Sequence, residues 1–153
     1  MRRGAGRLNR SVTTKASALP IRERSKGITT ITNYTFAEPL LGFPNDKHFE
    51  LVAQPGEDHW FWIQALPDGF PAFLVVNPFA YIDDYSIDIY NDTVAKLSLD
   101  CPEDALVFAI VNIDAGFTAN LAAPLVLNSK NGLALQAIND NAPTVAALTG
   151  ERN

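Results

Sequence analysis

The 153-residue chain has one cysteine, Cys101, one methionine, Met1, and two histidines. A lone cysteine excludes an internal disulfide framework and every cysteine-based zinc pattern, so the chain reads as a reduced, cytoplasmic protein. No apolar run reaches the ~18 residues of a membrane-spanning helix, and no membrane association is expected. The nine glycines are dispersed, and none forms GxGxxG or GxxxxGK, which removes the common phosphate-cradling loops. Cys101 precedes Pro102 and has no Lys, Arg or His beside it to lower its pKa; an inert thiol is expected. No cofactor or resident metal is expected.

Basic residues are scarce as well, but only in the body of the chain. Residues 1–36 hold eight of the twelve Lys and Arg against one acid, Glu23; residues 37–153 hold four basic and sixteen acidic side chains, a net of −12. Such a body repels nucleic acid directly and attracts basic partners by long-range steering. The head, MRRGAGRLNRSVTTKASALP, has Arg, Ser and Thr with almost no acid, and no apolar core for a secretory signal. It has the composition of a transit peptide or of a disordered tail; disorder over residues 1–27 is the expectation carried forward.

From Gly27 onward short apolar runs alternate with turn residues. ITTIT (28–32), HFELVAQ (48–54), WFWIQA (60–65), AFLVVN (72–77), LVFAIVNI (106–113), LAAPLVLN (121–128) and GLALQAI (132–138) are strand candidates, bounded by Gly, Pro, Asn and Asp. The fold class is all-β, mainly antiparallel: a small barrel-like single domain over 28–140, with residues 141–153 as a C-terminal tail. Asn131-Gly132 reads as a hairpin, through the positive φ angles of a tight turn. In DDYSIDIYND, Tyr85, Ile87 and Ile89 alternate with Asp84, Ser86 and Asp88, a strand with one wet face. NDTVAKLSL reads as a short helix capped by Asn91 or Asp92, or as another strand. DCPEDA reads as a turn entering a strand.

The candidate chemistry is thin. His48 and His59 lack a Ser or Cys nucleophile in a recognisable turn, and Asp58 and His59, adjacent on a strand, would point to opposite faces. They read as structural, and the chain as non-enzymatic. The acids Asp83, Asp84, Asp88 and Asp92 lack calcium-loop spacing. On a straight strand Asp84 and Asp88 stand about 13 Å apart, too far to share one ion. They read as a solvated face or as a docking surface for a basic protein. Trp60 and Trp62 share a strand face; they are either buried or form a stacking platform for sugar rings, which makes a carbohydrate-binding module the alternative function.

In TANLAAPLVLN (118–128) the alternation puts Leu121, Ala123, Leu125 and Leu127 on one face and Ala122, Pro124 and Val126 on the other. Pro124 removes a ladder donor and implies an edge or a bulge. Asn120 and Asn128 can bond loop backbone and end the strand. Thr118, Asn120, Pro124 and Asn128 are therefore read as structural residues.

Motif order goes further than composition. LLGFPNDKHFEL, FWIQALPDGFPAFLVVNPFAYIDDYSIDI, LDCPEDALVFAIVNI and TANLAAPLVLN follow one another over about Thr35 to Ile138. In this order they resemble the flagellar assembly factor FliW family. The resemblance implies a non-enzymatic, barrel-like cytoplasmic protein that binds newly made flagellin. It also implies binding of the RNA-binding regulator CsrA, with partner switching between the two controlling flagellin synthesis. A monomer is expected, with contacts at Phe43-Pro44 and along Asp83, Asp84, Tyr85, Asp88 and Asp92. The chain departs from the family pattern in four places. Asn77 replaces the usual Asp; Asn45-Asp46-Lys47 follows the Pro where Gly-Phe-Glu is common; the end INDNAPTVAALTGERN lacks basic and aromatic residues before Arg152; and the basic head is atypical. These departures bear on CsrA binding more than on flagellin binding.

Overall fold

The structure is a computed structural model that describes residues 7–12, 32–114, 116–142 and 145–148. Its ten strands are β1 (Arg7–Val12), β2 (Asn33–Phe36), β3 (His48–Ala53), β4 (Trp60–Ala65), β5 (Ala72–Val76), β6 (Ile87–Tyr90), β7 (Ala105–Asn112), β8 (Thr118–Asn128), β9 (Leu133–Gln136) and β10 (Val145–Ala147). Among the described residues one α-helix, α1 (Asn91–Leu97), follows β6. The main sheet runs β10-β8-β7-β5-β4-β3-β2-β9, and an additional β8–β9 pairing closes seven of these strands into a barrel. All neighbours are antiparallel except β2 and β9. Closure gives each of the seven strands a neighbour on both sides, which limits the free edges of an open sheet.

Every barrel strand contributes to the interior: Tyr34, Phe36, Phe49, Phe61, Ile63, Ala65, Val75, Leu106, Phe108, Leu125, Leu127 and Ala134 form one buried cluster. A second core lies against the outer face of β5, β7, β8 and β9, where Leu74, Val76, Val107, Val111, Leu121 and Leu135 meet Phe79, Tyr85, Ile87, Ile89, Leu97 and Leu99. The segment from Pro78 to Leu99 thus covers one side of the barrel. This explains why ALVFAIVN reads as a continuous apolar run: β7 is buried on both faces. Strand β4, with Phe61, Ile63 and Ala65 buried and Trp60, Trp62 and Gln64 half-buried, keeps its alternation.

The Pro in β8 sits in a bulge. Ile110 faces Asn120 and Phe108 faces Leu125, so the residues from Leu121 to Pro124 stand opposite Ala109. The extra residues rotate the strand. Ala119, Leu121 and Val126 pack in the outer core while Leu125 and Leu127 point inward, so Leu121 does not share a face with Leu125 as simple alternation had it. At the same point β8 exchanges neighbours: residues 118–120 pair with β10, and 125–127 pair with β9. The Asn120 carboxamide oxygen accepts from the N–H groups of Ala122 and Ala123 (3.1 and 3.3 Å) and so serves donors that the bulge removes from the ladder. Asn120→Ala is expected to cost about 1–2 kcal/mol in chemical denaturation. An unchanged midpoint would mean that water serves these donors equally well.

Other local readings shift. Strand β2 was not among the strand candidates; it begins at Asn33, directly after ITTIT, which lies outside the described residues except for Thr32. In the β8–β9 connection only Gly132 takes a positive φ (81°), and Gly132 N–H bonds Asn128 C=O (3.0 Å), a longer loop than a two-residue turn. NDTVAKL forms the helix, but its N-cap is Tyr90, with no side-chain cap bond, and neither Asn91 nor Asp92 takes that place. Within the segment read as a C-terminal tail, Val145–Ala147 add to the β8 edge. Within the basic head, Arg7–Val12 pair with β6, an element its composition did not announce; the rest of residues 1–27 lies outside the described residues. No described helix is long and apolar enough to cross a membrane.

Candidate functional site

The segment 77–99 carries most of the candidate contact residues, and its course is set by small polar devices. Asn77, fully buried, accepts from Phe79 N–H (3.0 Å) and starts a short 3-10 turn, Pro78–Ala80. Phe79 then packs edge-to-face on Tyr85 at 5.0 Å. Asp84 adopts the left-handed region (φ 58°), which ends any extended run before β6. The expected acidic strand from Asp83 to Asp92 is therefore three pieces. Asp83 and Asp84 lie in a loop, Asp88 on β6, and Asp92 in the first turn of α1.

Exposure sorts the candidates. Pro44, Asp83, Asp84 and Asp92 are exposed; Phe43 and Asp88 are half-buried; Tyr85 is buried. Phe43 packs edge-to-face on Phe73 at 5.0 Å, at the border of the inner core. In its turn, where Gly42 has φ 90°, the side chain offered to solvent is Leu41, 84% exposed. Leu41 was not singled out from the sequence, although a Leu-Leu pair before a Gly turn leaves one Leu without a core to enter. Tyr85 belongs to the outer core. Burial pushes its hydroxyl up to about 12; the Asn139 amide opposes this weakly, close by but without a bond of ordinary geometry.

Around β6 and α1 stand the carboxylates of Glu38, Asp83, Asp84, Asp88, Asp92 and Asp140. Asn141 donates to Asp88 (3.4 Å), and the Tyr90 hydroxyl donates to Asp140 (3.4 Å). Lys96 bridges Glu38 and Asp92, the latter at 3.0 Å, and these two carboxylates, Glu38 first, raise its pKa. Glu38, Tyr90, Asp92, Lys96 and Ile138 line a concavity of about 260 Å³ beside α1. Among the described residues no group of three or more His, Cys, Asp and Glu could hold a metal ion.

A larger groove of about 560 Å³ opens where β5 and β7 part. Their ladder is confined to Val75 and Val76, and Ala72, Phe73 and Leu74 face Val111, Asn112 and Ile113 across the gap. Trp62, Ile110, Asp114, Thr118, Asn120 and Val145 complete the lining, so two residues of the TANL element sit at this groove. The tryptophans are not an exposed platform. Both are half-buried, with Trp60 Nε1 donating to Tyr81 Oη (2.6 Å) and Trp62 Nε1 to Gln54 Oε1 (2.8 Å). His59 is buried near Asn77, with 3.5 Å between His59 Nδ1 and Asn77 Nδ2. Burial and then the Asp104 carboxylate raise the Cys101 pKa, and the thiol donates to that carboxylate at 3.4 Å.

Asn128, the last residue of β8, reaches across to α1. Its amide nitrogen donates to the carbonyls of Leu97 (2.8 Å) and Ser98 (3.2 Å), and its oxygen accepts from Lys130 N–H (2.9 Å). Asn131 donates to the same Leu97 carbonyl (3.0 Å). The helix thus ends on two asparagines of the β8–β9 turn, and the acidic segment is clipped to the barrel.

This barrel and its motif residues match a family model described as FliW protein over residues 13–147. The chain belongs to the FliW family. A flagellar assembly factor FliW of Treponema denticola is 36% identical over 125 residues, 78% of this chain and 85% of the relative. One from Bacillus licheniformis is 35% identical over 106 residues, 67% of this chain and 74% of the relative. A crystal structure of the flagellar assembly factor FliW is similar with a TM-score of 0.70 at 26% identity, over 80% of this chain and 89% of that one. The FliW match begins at residue 13, after β1, and ends at 147, the last residue of β10.

Proposed function

We propose that the chain is a non-enzymatic, cytoplasmic flagellar assembly factor that binds flagellin and, by exchange of partners, CsrA. Membership of the FliW family carries this reading, because the relatives are named flagellar assembly factors. The net charge of −12 over residues 37–153 supports it independently, since a regulator that binds RNA must present a basic surface. Held near that surface, this body would also repel RNA. The exposed carboxylates Asp83, Asp84 and Asp92 and the Leu41–Pro44 turn are the proposed contacts.

Titration against the host's own flagellin monomer, then against its CsrA, tests the reading. Binding to both supports partner exchange, and binding to flagellin alone supports a chaperone without the regulatory arm. A folded sample that binds neither overturns the proposal. Asp84→Asn with Asp92→Asn removes charge gently, since Asn tolerates the left-handed backbone at position 84. This double variant is expected to associate with CsrA a few-fold more slowly at low salt and to depend less on salt. An unchanged rate would remove this face from the interface.

A further inference from the structure

Strand β6 is not a barrel strand. Among the described residues its paired neighbour is β1, which arrives from the opposite part of the chain. The ladder between them is short: Arg7 stands opposite Tyr90, Ser11 opposite Asp88 and Val12 opposite Ile87, with an irregularity between Arg7 and Ser11. An interrupted ladder of this length holds weakly. Without it, the backbone edge of β6 would be a template for another strand.

The charges of the two sides are opposite. Segment 1–36 carries eight basic residues and one acid. The β6 edge has Asp88 on the strand, Asp92 just after it and Asp83 and Asp84 before it, with Asp140 at the Tyr90 hydroxyl. Lys96 of α1 is already held by Glu38 and Asp92. In strand addition the backbone ladder supplies affinity and the flanking side chains supply selection.

We propose that the acidic edge of β6 is an acceptor site for a basic, extended peptide, and that the chain's own Arg7–Val12 occupies it as a displaceable intramolecular strand. The proposal goes beyond the flagellin reading and does not rest on it. A tethered strand acts at a high effective concentration, so any basic strand supplied by a partner must first compete with it. Arg7–Val12 thereby screen a site whose charge is opposite to that of the basic head.

The test uses full-length protein and a fluorescent peptide of residues 6–13, GRLNRSVT. In one variant, Ser11→Pro with Val12→Pro, the tethered strand is broken at two paired residues that follow one another, so it loses a ladder donor. The peptide is expected to bind this variant about tenfold more tightly than the wild type, and to weaken as salt is raised. Adding Asp88→Asn should weaken the peptide several-fold, and a peptide with both Arg changed to Glu should not bind. Hydrogen exchange at Ile87–Tyr90 should quicken in the Pro variant while tryptophan emission reports an intact barrel. Equal peptide affinity for wild type and Pro variant, or no binding to a folded Pro variant, overturns the proposal. Binding of the Glu peptide as tightly as the Arg peptide would overturn its electrostatic half.

Discussion

Asn128→Ala is expected to lower the stability of the fold by about 2–3 kcal/mol. The side chain is 1% exposed and makes three hydrogen bonds, to the carbonyls of Leu97 and Ser98 and from Lys130 N–H. Alanine leaves these groups without their partner and opens a small void between α1 and the barrel. Asn131 still serves the Leu97 carbonyl, so that loss is shared, whereas Ser98 loses the bond that Asn128 gave its carbonyl. Ser98 is in the left-handed conformation (φ 52°) that ends the helix, so its carbonyl direction is set by this cap. Urea unfolding measures the effect, and hydrogen exchange in Val94–Leu99 locates it. A change under about 0.5 kcal/mol, the size of an ordinary surface substitution, would show that the cap is not a structural clip.

The second large effect is on alkaline stability. Tyr85 has a folded-state pKa raised to about 12 by burial, against 10.0 for the unperturbed side chain. Below pH 10 both folded and unfolded chains keep the phenolic proton, and the contribution is fully present. Between pH 10 and about 12 the unfolded chain releases the proton while the folded chain retains it, so stability falls as pH rises. Two pKa units correspond to about 2–3 kcal/mol. Tyr85→Phe should abolish this part of the decline, and the difference between the two proteins isolates it from other groups titrating in the window. The same substitution at neutral pH should change stability little, because the hydroxyl has no bond of ordinary geometry to lose. Parallel curves for both proteins from pH 9 to 12 would overturn this account.

How far the sequence can be read depends on whether an interaction is local. The runs HFELVA, WFWIQA and AFLVV are strands within a residue of their apolar limits, because alternation and β-branched or aromatic content act locally. The missing N–H of Pro124 alone implied an edge or a bulge, and the register between β7 and β8 made it a bulge. Strand β2 was harder to see: four residues beginning with Asn carry little periodicity, and it is fixed by parallel pairing to β9 from the far end of the chain. The acidic face was misread as one strand because Asp84 can take a positive φ, which no alternation pattern records.

Composition and pattern by themselves determined an all-β domain without disulfides, an acidic body with a basic head, and a set of motifs in FliW order. Tertiary structure decided the rest: closure through β8–β9, a second core outside the barrel, the burial of Tyr85 and the pairing of Arg7–Val12 with β6. Each of these joins residues distant in sequence. Such contacts depend on where closure brings two strands together, and the local apolar period is the same whether or not they meet.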